Sequence, residues 1–180
     1  MSMTPEHEPG EAEDEPPSPM PPDVVIEDER WEEAGLEPLA ERALDALQLW
    51  LGATGEIVVM GCDDARIAAL NADFRGKPRA TNVLSWPSVE HQPHEPGDRP
   101  DLPEDEEWGD IAISFDTCAA EAEAQGKPFD HHVIHLLIHA GLHLVGYDHE
   151  NDADAETMEA VERSILFNLG IPDPYSESRI

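Results

Sequence analysis

The sequence is poor in cysteine, in basic residues and in long apolar runs, and each shortage excludes a class of protein. Cys62 and Cys118 are its only cysteines, far apart and outside any CxxC pattern. A disulfide framework is therefore not expected, and a reducing compartment is the default. No apolar run approaches the ~20 residues of a membrane span, and the acidic N-terminus lacks the basic and apolar segments of a secretory signal. We therefore expect a soluble cytoplasmic protein that makes no membrane contact.

Basic residues are scarce but grouped. Ten Lys and Arg residues stand against 41 Asp and Glu residues, which gives a formal net charge of −31 at pH 7. Such a charge argues against indiscriminate binding to nucleic acid. Four of the ten basic residues nevertheless fall within fourteen positions, namely Arg66, Arg75, Lys77 and Arg79. A local cationic patch can still receive a phosphate group, so the total charge does not decide the partner.

The acidic residues concentrate in two proline-rich stretches. Residues 1–22 have the composition of an acidic flexible tail. Residues 87–107 have that of a solvated surface loop, unusually long for a compact domain. The chain is 39% hydrophobic, which is sufficient for one core. We predict a single domain over residues 23–175, followed by a C-terminal tail at 176–180.

Hydrophobic periodicity predicts an α+β fold. Four apolar runs are typical of strands, at 24–26, 56–61, 81–86 and 110–114. Five segments have helical spacing and cap residues, at Leu36–Leu51, 63–74, 116–125, 128–144 and about 152–170. Asp116 or Thr117 is the expected N-cap of the third helix. The order of these segments favours a mixed sheet of about four strands packed with about five helices.

The most specific pattern is the segment HAGLHLVGYDH at 139–149. His139 and His143 are four residues apart, so on a helix they share one face and can reach one metal ion. Gly146 can adopt a positive φ without a Cβ penalty, which lets the chain reverse and bring His149 to the same ion. Three neutral imidazoles with one open position are typical of catalytic zinc, whereas structural zinc usually takes four protein ligands, mostly Cys. The pattern predicts one Zn²⁺ at the end of the central helix.

A three-histidine zinc site predicts hydrolytic chemistry, because the ion keeps a water molecule and lowers its pKa toward ~7. The spacing equals that of the metzincin proteases, which place a glutamate after the first histidine as general base. Ala140 occupies that position here. A methyl group cannot move a proton, which argues against peptide hydrolysis by that route. A phosphodiesterase instead needs a cation for the charge on phosphate; Arg75 is the candidate, with Lys77 and Arg79 nearby.

None of the other polar residues near the motif is predicted to be a metal ligand. His135, one turn before His139, could support a ligand, but a packing or solvent role is favoured. His131 and His132 are expected to be exposed near the start of the helix. Asp148 either orients a ligand imidazole or is an ordinary turn aspartate.

With these motifs the chain resembles the YbeY family, bacterial single-strand-specific metallo-endoribonucleases implicated in rRNA maturation. HAGLHLVGYDH is close to the family signature HGxLHLxGYDH. Further blocks are similar in the same order, namely LNADFRGKPRATNVLSWP, WGDIAIS and ETMEAVERSILFNLGIPDPY. The resemblance covers about residues 24–175. Two positions depart from the family pattern, since Ala140 replaces the usual Gly and Asn82 the usual Asp.

The resemblance implies an α+β fold with a mixed sheet, zinc ligation by His139, His143 and His149, and Arg75 as the functional arginine. It also implies work on 16S rRNA ends and in ribosome quality control.

The resulting hypothesis is a zinc-dependent endoribonuclease that acts on single-stranded rRNA precursors. Lys77 and Arg79 would guide the RNA backbone, and the ribosome or its small subunit and assembly factors would be partners. Two alternatives stay open. One is a zinc metalloprotease or amidase whose base comes from elsewhere; the other is a non-catalytic ribosome-assembly factor whose metal is structural.

Overall fold

The computed structural model describes residues 18–88 and 90–175. Most of the predicted tail at 1–22, and all of the predicted tail at 176–180, lie outside the described residues. The end of the N-terminal segment is held against the domain by Gln48. The backbone N–H of Met20 donates to Gln48 Oε1, and Gln48 Nε2 donates to the Met20 carbonyl, each at 3.0 Å. The boundary predicted at residue 22, between the acidic tail and the domain, did not anticipate this contact.

The described residues form four strands and six helices. The strands are β1 (Asp23–Ile26), β2 (Glu56–Cys62), β3 (Val83–Pro87) and β4 (Glu107–Ser114). The helices are α1 (Arg30–Ala34), α2 (Leu36–Leu51), α3 (Asp64–Arg75), α4 (Phe115–Gln125), α5 (Phe129–Leu144) and α6 (Asp152–Asn168). Helix α1 was not predicted, because five residues are too few to establish a periodicity. Within this part of the chain, no helix combines the length and apolarity that a bilayer span requires.

The strands form one mixed sheet in the order β1–β2–β4–β3. β2 pairs in parallel with both β1 and β4, whereas β3 pairs antiparallel with β4 and forms one edge of the sheet. The predicted α+β fold with a four-stranded mixed sheet is therefore confirmed. β3 and β4 approach closely at Gly109, where φ is +143° and an added Cβ would lie 2.2 Å from the Trp86 carbonyl oxygen.

Helix α5 is the centre of the larger core. Its fully buried large apolar side chains contribute roughly 1.5–3 kcal/mol each to stability and are Val133, Ile134, Leu137, Ile138, Leu142 and Leu144. Helix α2 crosses α5 closely at Gly141, where a Cβ would lie 2.5 Å from Leu47 Cδ2. Because α5 is packed in this way, the polar residues that it carries have fixed positions.

A smaller apolar cluster lies on the opposite face of the sheet, beneath α3. Its buried members are Cys62, Ile67, Leu84 and Ala112. Successive residues of a strand point to opposite faces. In β3, Leu84 and Trp86 pack toward this cluster, while Val83 and Ser85 line a cleft on the α5 face.

The expected N-cap of α4 is wrong. The helix begins at Phe115 with Ser114 as its N-cap residue. Thr117 Oγ1 donates to Asp64 Oδ1 at 2.6 Å, and Asp116 Oδ1 accepts from Arg30 Nη1 at 2.7 Å. Both expected cap side chains are therefore engaged by other elements, which local sequence does not reveal.

The acidic loop between β3 and β4 lies on the surface and is fastened at its middle. The backbone N–H of Gly97 donates to Asp154 Oδ1 at 2.8 Å, and its carbonyl oxygen accepts from Thr157 Oγ1 at 2.6 Å. The Arg99 guanidinium lies 4.9 Å from the centroid of the Trp50 ring. The loop is thus docked on helices α6 and α2.

Candidate metal centre

The C-terminal end of α5 holds two imidazoles one helical turn apart. The ring centroids of His139 and His143 are 4.7 Å apart, and their Nε2 atoms are 3.2 Å apart. Two nitrogens bound to one tetrahedral zinc at ~2.0–2.1 Å would be separated by about 3.3 Å. The observed pair therefore has the spacing that a shared zinc ion requires.

The turn after α5 brings the third imidazole to this pair. Gly146 has a φ of +107°, as the sequence predicted. The His149 ring lies 5.5 Å from that of His139 and 5.1 Å from that of His143, centroid to centroid. One ligand nitrogen from each of the three residues lies within 4.8 Å of the others, so the three could hold one metal ion.

Hydrogen bonds fix the orientation of two of these rings. His139 Nδ1 lies 2.6 Å from Glu162 Oε2, and His143 Nδ1 lies 2.8 Å from the Tyr147 carbonyl oxygen. A carboxylate and a carbonyl only accept hydrogen bonds, so both rings carry their proton on Nδ1 and present the Nε2 lone pair. This is the usual arrangement of metal-binding histidines. Burial, followed by the proximity of His139 and His149, lowers the pKa of His143 to about 4, so the ring is neutral at pH 7.

Glu162 on α6 lies behind the metal centre and links several side chains there by hydrogen bonds. Its carboxylate is fully buried and also contacts His135 Nε2 at 2.8 Å and the Tyr175 hydroxyl. Burial raises the pKa of Glu162, but the hydrogen bonds from His135 and His139 outweigh it and bring the pKa to about 2. The sequence reasoning missed this residue. The sequence feature that could have identified Glu162 is its position at helical spacing among the buried apolar residues Met158, Val161 and Ile165.

The roles expected for two other histidines are wrong. His135 does not have the favoured packing or solvent role: its Nε2 donates to Glu162, the carboxylate that also contacts His139, so the geometry favours the alternative in which His135 supports a ligand. His132 is not exposed but 5% accessible, and its Nε2 lies 2.8 Å from Glu121 Oε1. Both partners come from other helices, so the helical pattern of α5 alone could not identify them.

Asp148 is a turn residue. Its Oδ1 accepts from the backbone N–H of Glu150 at 3.3 Å. Among the described residues, it makes no hydrogen bond to His139, His143 or His149. Of the two interpretations of Asp148, the turn is the one that the geometry supports.

The three imidazoles lie in a cleft of about 730 Å³. Arg75, the last residue of α3, lines the same cleft, so the structure brings together all four residues predicted for catalysis. Lys77 and Arg79 do not line it. They border a neighbouring hollow that shares Arg75 with the cleft.

Both departures from the family pattern lie at this cleft. Ala140 is 1% accessible and presents a methyl group, so it offers no general base. Asn82 Nδ2 donates to Glu121 Oε1 at 3.0 Å, and Asn82 Oδ1 accepts from the backbone N–H of Val83 at 2.6 Å. The Asn82 amide therefore donates a hydrogen bond to the Glu121 carboxylate. An unprotonated aspartate at position 82 could not do so, because it has no hydrogen to donate.

Comparisons with known proteins identify the family of the chain. A family model described as endoribonuclease YbeY matches residues 24–170. An endoribonuclease YbeY of Paracoccus denitrificans is 67% identical over 156 residues, which cover 86% of this chain and 90% of the relative. Another, of Cereibacter sphaeroides, is 54% identical over 162 residues, which cover 85% and 97% of the two chains. The solution structure of TM1509 from Thermotoga maritima has a similar fold, with a TM-score of 0.52 at 22% identity over 86% of this chain and 99% of that one. The chain belongs to the endoribonuclease YbeY family.

Proposed function

We propose that this protein is a zinc-dependent endoribonuclease that cleaves single-stranded RNA. The observation that carries the proposal is the convergence of three imidazoles and an unpaired arginine on one cleft. The names of the relatives support RNA as the substrate. The family resemblance supports a finer assignment to 16S rRNA maturation and ribosome quality control in the cytoplasm, with the ribosome or its small subunit and assembly factors as partners. We assign the catalytic domain to residues 23–175.

His139, His143 and His149 would bind the metal ion through one ring nitrogen each. Zinc favours imidazole ligands, and in a three-histidine site it lowers the pKa of water to ~7 and polarises phosphoryl oxygens. The chain's own contribution is rigidity. Glu162 and the Tyr147 carbonyl hold the rings of His139 and His143 before substrate arrives.

Arg75 would neutralise the negative charge that develops on the phosphate during cleavage. A guanidinium suits this task because its N–H groups form a planar fork that matches two phosphate oxygens. Among the described residues, no carboxylate lies within 4.0 Å of Arg75, so substrate would not have to displace an ion pair. Lys77 and Arg79, in the adjoining hollow, would contact neighbouring phosphates of the strand.

Two features disfavour the alternatives. Ala140 gives a protease no base at the expected position. A structural zinc site is normally closed by four protein ligands, whereas the metal-ligating group in the described residues has three members and borders an open cleft.

The test is a cleavage assay with zinc-loaded protein on a defined single-stranded RNA, the same RNA in a duplex, and a peptide. We expect cleavage of the single strand alone. Arg75→Ala should lower kcat by about 10²–10³-fold with the zinc content unchanged, since it removes a group that stabilises developing charge. Arg42→Ala is the matched control, because Arg42 donates to the Leu169 carbonyl away from the cleft.

Peptide cleavage in place of RNA cleavage would favour the protease. Absence of RNA and peptide cleavage by the wild-type protein, together with unfolding when zinc is removed, would favour the assembly factor with a structural metal.

A further inference from the structure

Two aromatic rings lie next to Arg75, outside the metal cleft. Phe74, in the last turn of α3, is 63% exposed. Its ring packs edge-on against Trp86 of β3, with centroids 5.2 Å apart and an interplanar angle of 62°. Trp86 is partly buried against the smaller core cluster. The Trp86 ring thus supports one side of Phe74 while most of the Phe74 surface stays open to solvent.

This aromatic pair is separated from the metal cleft by a single strand. β3 is the edge strand of the sheet, with Val83 and Ser85 toward the cleft and Trp86 toward the opposite face. Arg75 follows Phe74 directly and lines the cleft itself. An extended strand that leaves the metal centre past Arg75 would therefore meet Phe74 as it crosses the sheet edge.

The charges around Phe74 indicate what kind of strand this is. We call the exposed segment Phe74–Arg79 the basic rim; its cations are Arg75, Lys77 and Arg79. None of these three side chains has a hydrogen bond, ion pair or ring contact with another described residue. Every other Lys or Arg in the described part has such a partner, namely Arg30, Arg42, Arg66, Arg99, Lys127 and Arg163. In a chain of net charge −31, the basic rim is a site where cations remain available to a polyanion.

Unpaired cations beside an exposed aromatic ring are the elements of a single-strand nucleic-acid site. The cations follow the backbone, and bases stack on the ring irrespective of sequence, because every base has a π-face. Stacking on a side chain also requires a base that is splayed out from its neighbours, which a duplex does not offer.

We propose that Phe74, supported by Trp86, is a stacking platform for a nucleobase of the RNA strand whose phosphates contact the basic rim. The inference rests on the proposed RNA cleavage and adds to it a base-binding subsite outside the metal cleft. The subsite gives a physical reason for a preference for single strands. An apolar patch of a protein partner is the other possible occupant, and the test separates the two.

The experiment measures kcat and KM of zinc-loaded full-length protein on a mixed-sequence single-stranded RNA. Phe74→Ala should raise KM by about 5- to 150-fold, the effect of losing one base–aromatic stack, with little change in kcat. Phe74→Trp, which keeps an aromatic ring at this position, should have a KM equal to or lower than that of the wild type. Phe167→Ala is the matched control, since Phe167 is 80% exposed on α6 away from the cleft, and its KM should stay within about twofold of the wild type.

A second measurement uses competitor strands with intact bases and with bases removed. In the wild type the abasic strand should inhibit more weakly than the intact one, and this difference should shrink in Phe74→Ala, as expected for two changes that remove one interaction. If wild-type protein cleaves RNA and Phe74→Ala behaves like Phe167→Ala in both measurements, the stacking platform is excluded and the proposed function stands. If wild-type protein does not cleave RNA at all, the proposed function itself fails, and the platform fails with it.

Discussion

The metal centre and the basic rim are neighbours that are built in opposite ways. At the metal centre, buried partners fix the rings of His139 and His143, and the carboxylate behind them, Glu162, is fully buried. In the basic rim, every residue from Phe74 to Arg79 is exposed, and the three cations have no side-chain partner among the described residues. A metal ion needs ligands that already point toward it before substrate arrives, so the protein fixes their orientation. The cations of the rim need no partner within the protein, because the phosphates of a flexible polyanion can pair with them.

The largest effect is expected from removing a ligand. His143→Ala should reduce bound zinc to background and lower RNA cleavage by at least about 10³-fold, because two imidazoles cannot hold the ion against solvent. Metal content per chain and cleavage rate are measured on the same preparation. Leu144→Ala, at the adjacent buried position, controls for packing: it should lower stability but leave the zinc stoichiometry intact. A His143→Ala protein that kept one zinc per chain would contradict the assigned ligand set.

The next effect concerns the carboxylate behind the ligands. Glu162→Gln should weaken zinc binding by about 10–100-fold, the usual cost of losing the group that orients a ligand histidine. Glu159→Gln, on the partly exposed side of the same helix, is the matched control. Competition with a zinc chelator measures both affinities, and equal values for the two variants would show that the Glu162–His139 contact does not support metal binding.

Glu162 also predicts a pH dependence in the metal-free protein. Its pKa is about 2 in the folded state, below the ordinary value of 4.5, so the unfolded state binds more protons between these values. The stability that Glu162 contributes is therefore complete above pH 4.5 and is lost as the pH falls toward 2. Urea unfolding across this window should show a shallower pH dependence for Glu162→Gln than for Glu159→Gln.

A smaller effect is expected at the cleft wall. Asn82→Asp removes the donor to Glu121 and sets two carboxylates about 3 Å apart. We expect a loss of about 1–2 kcal/mol and a Tm lower by about 2–8 °C at pH 7, with zinc content unchanged. Asn82→Ser, which removes the amide without adding charge, should lose less. Stability of both variants equal to that of the wild type would mean that the Asn82–Glu121 bond contributes nothing.

The smallest effect is expected from Lys77 and Arg79, the two cations of the rim that do not line the metal cleft. Lys77→Ala or Arg79→Ala should raise KM by at most about fivefold, because exposed charge pairs are weak. The slope of log KM against log salt concentration should fall by about 0.7 for each phosphate contact removed from a single strand. Kinetics at several salt concentrations measure this slope. An unchanged slope in both variants would remove these two residues from the path of the RNA.

The same contrast explains what could be predicted from the sequence. The sheet, the helix α5 and the turn at Gly146 depend on local patterns, and these were predicted correctly. The partners of His135 and His132 are Glu162 and Glu121, which are distant in sequence and reach these rings only after the helices have packed.

Two further misses have the same cause. Helix α1 is held by a buried tryptophan, Trp31, whose Nε1 donates to the Cys62 carbonyl at 3.0 Å, and not by any periodicity of its own. The acidic loop was expected to be solvated, but its anchor is a backbone glycine, Gly97, paired with Asp154 and Thr157 of α6. Tertiary hydrogen bonds of this kind leave no signature in a single sequence.

The most direct measurement is X-ray absorption at the zinc edge of the metal-loaded protein, combined with zinc content per chain. We predict one zinc per chain with three imidazole nitrogens at about 2.0–2.1 Å and one oxygen from solvent. A spectrum with a fourth protein ligand, or a protein that binds no zinc while its three histidines are intact, would contradict the account.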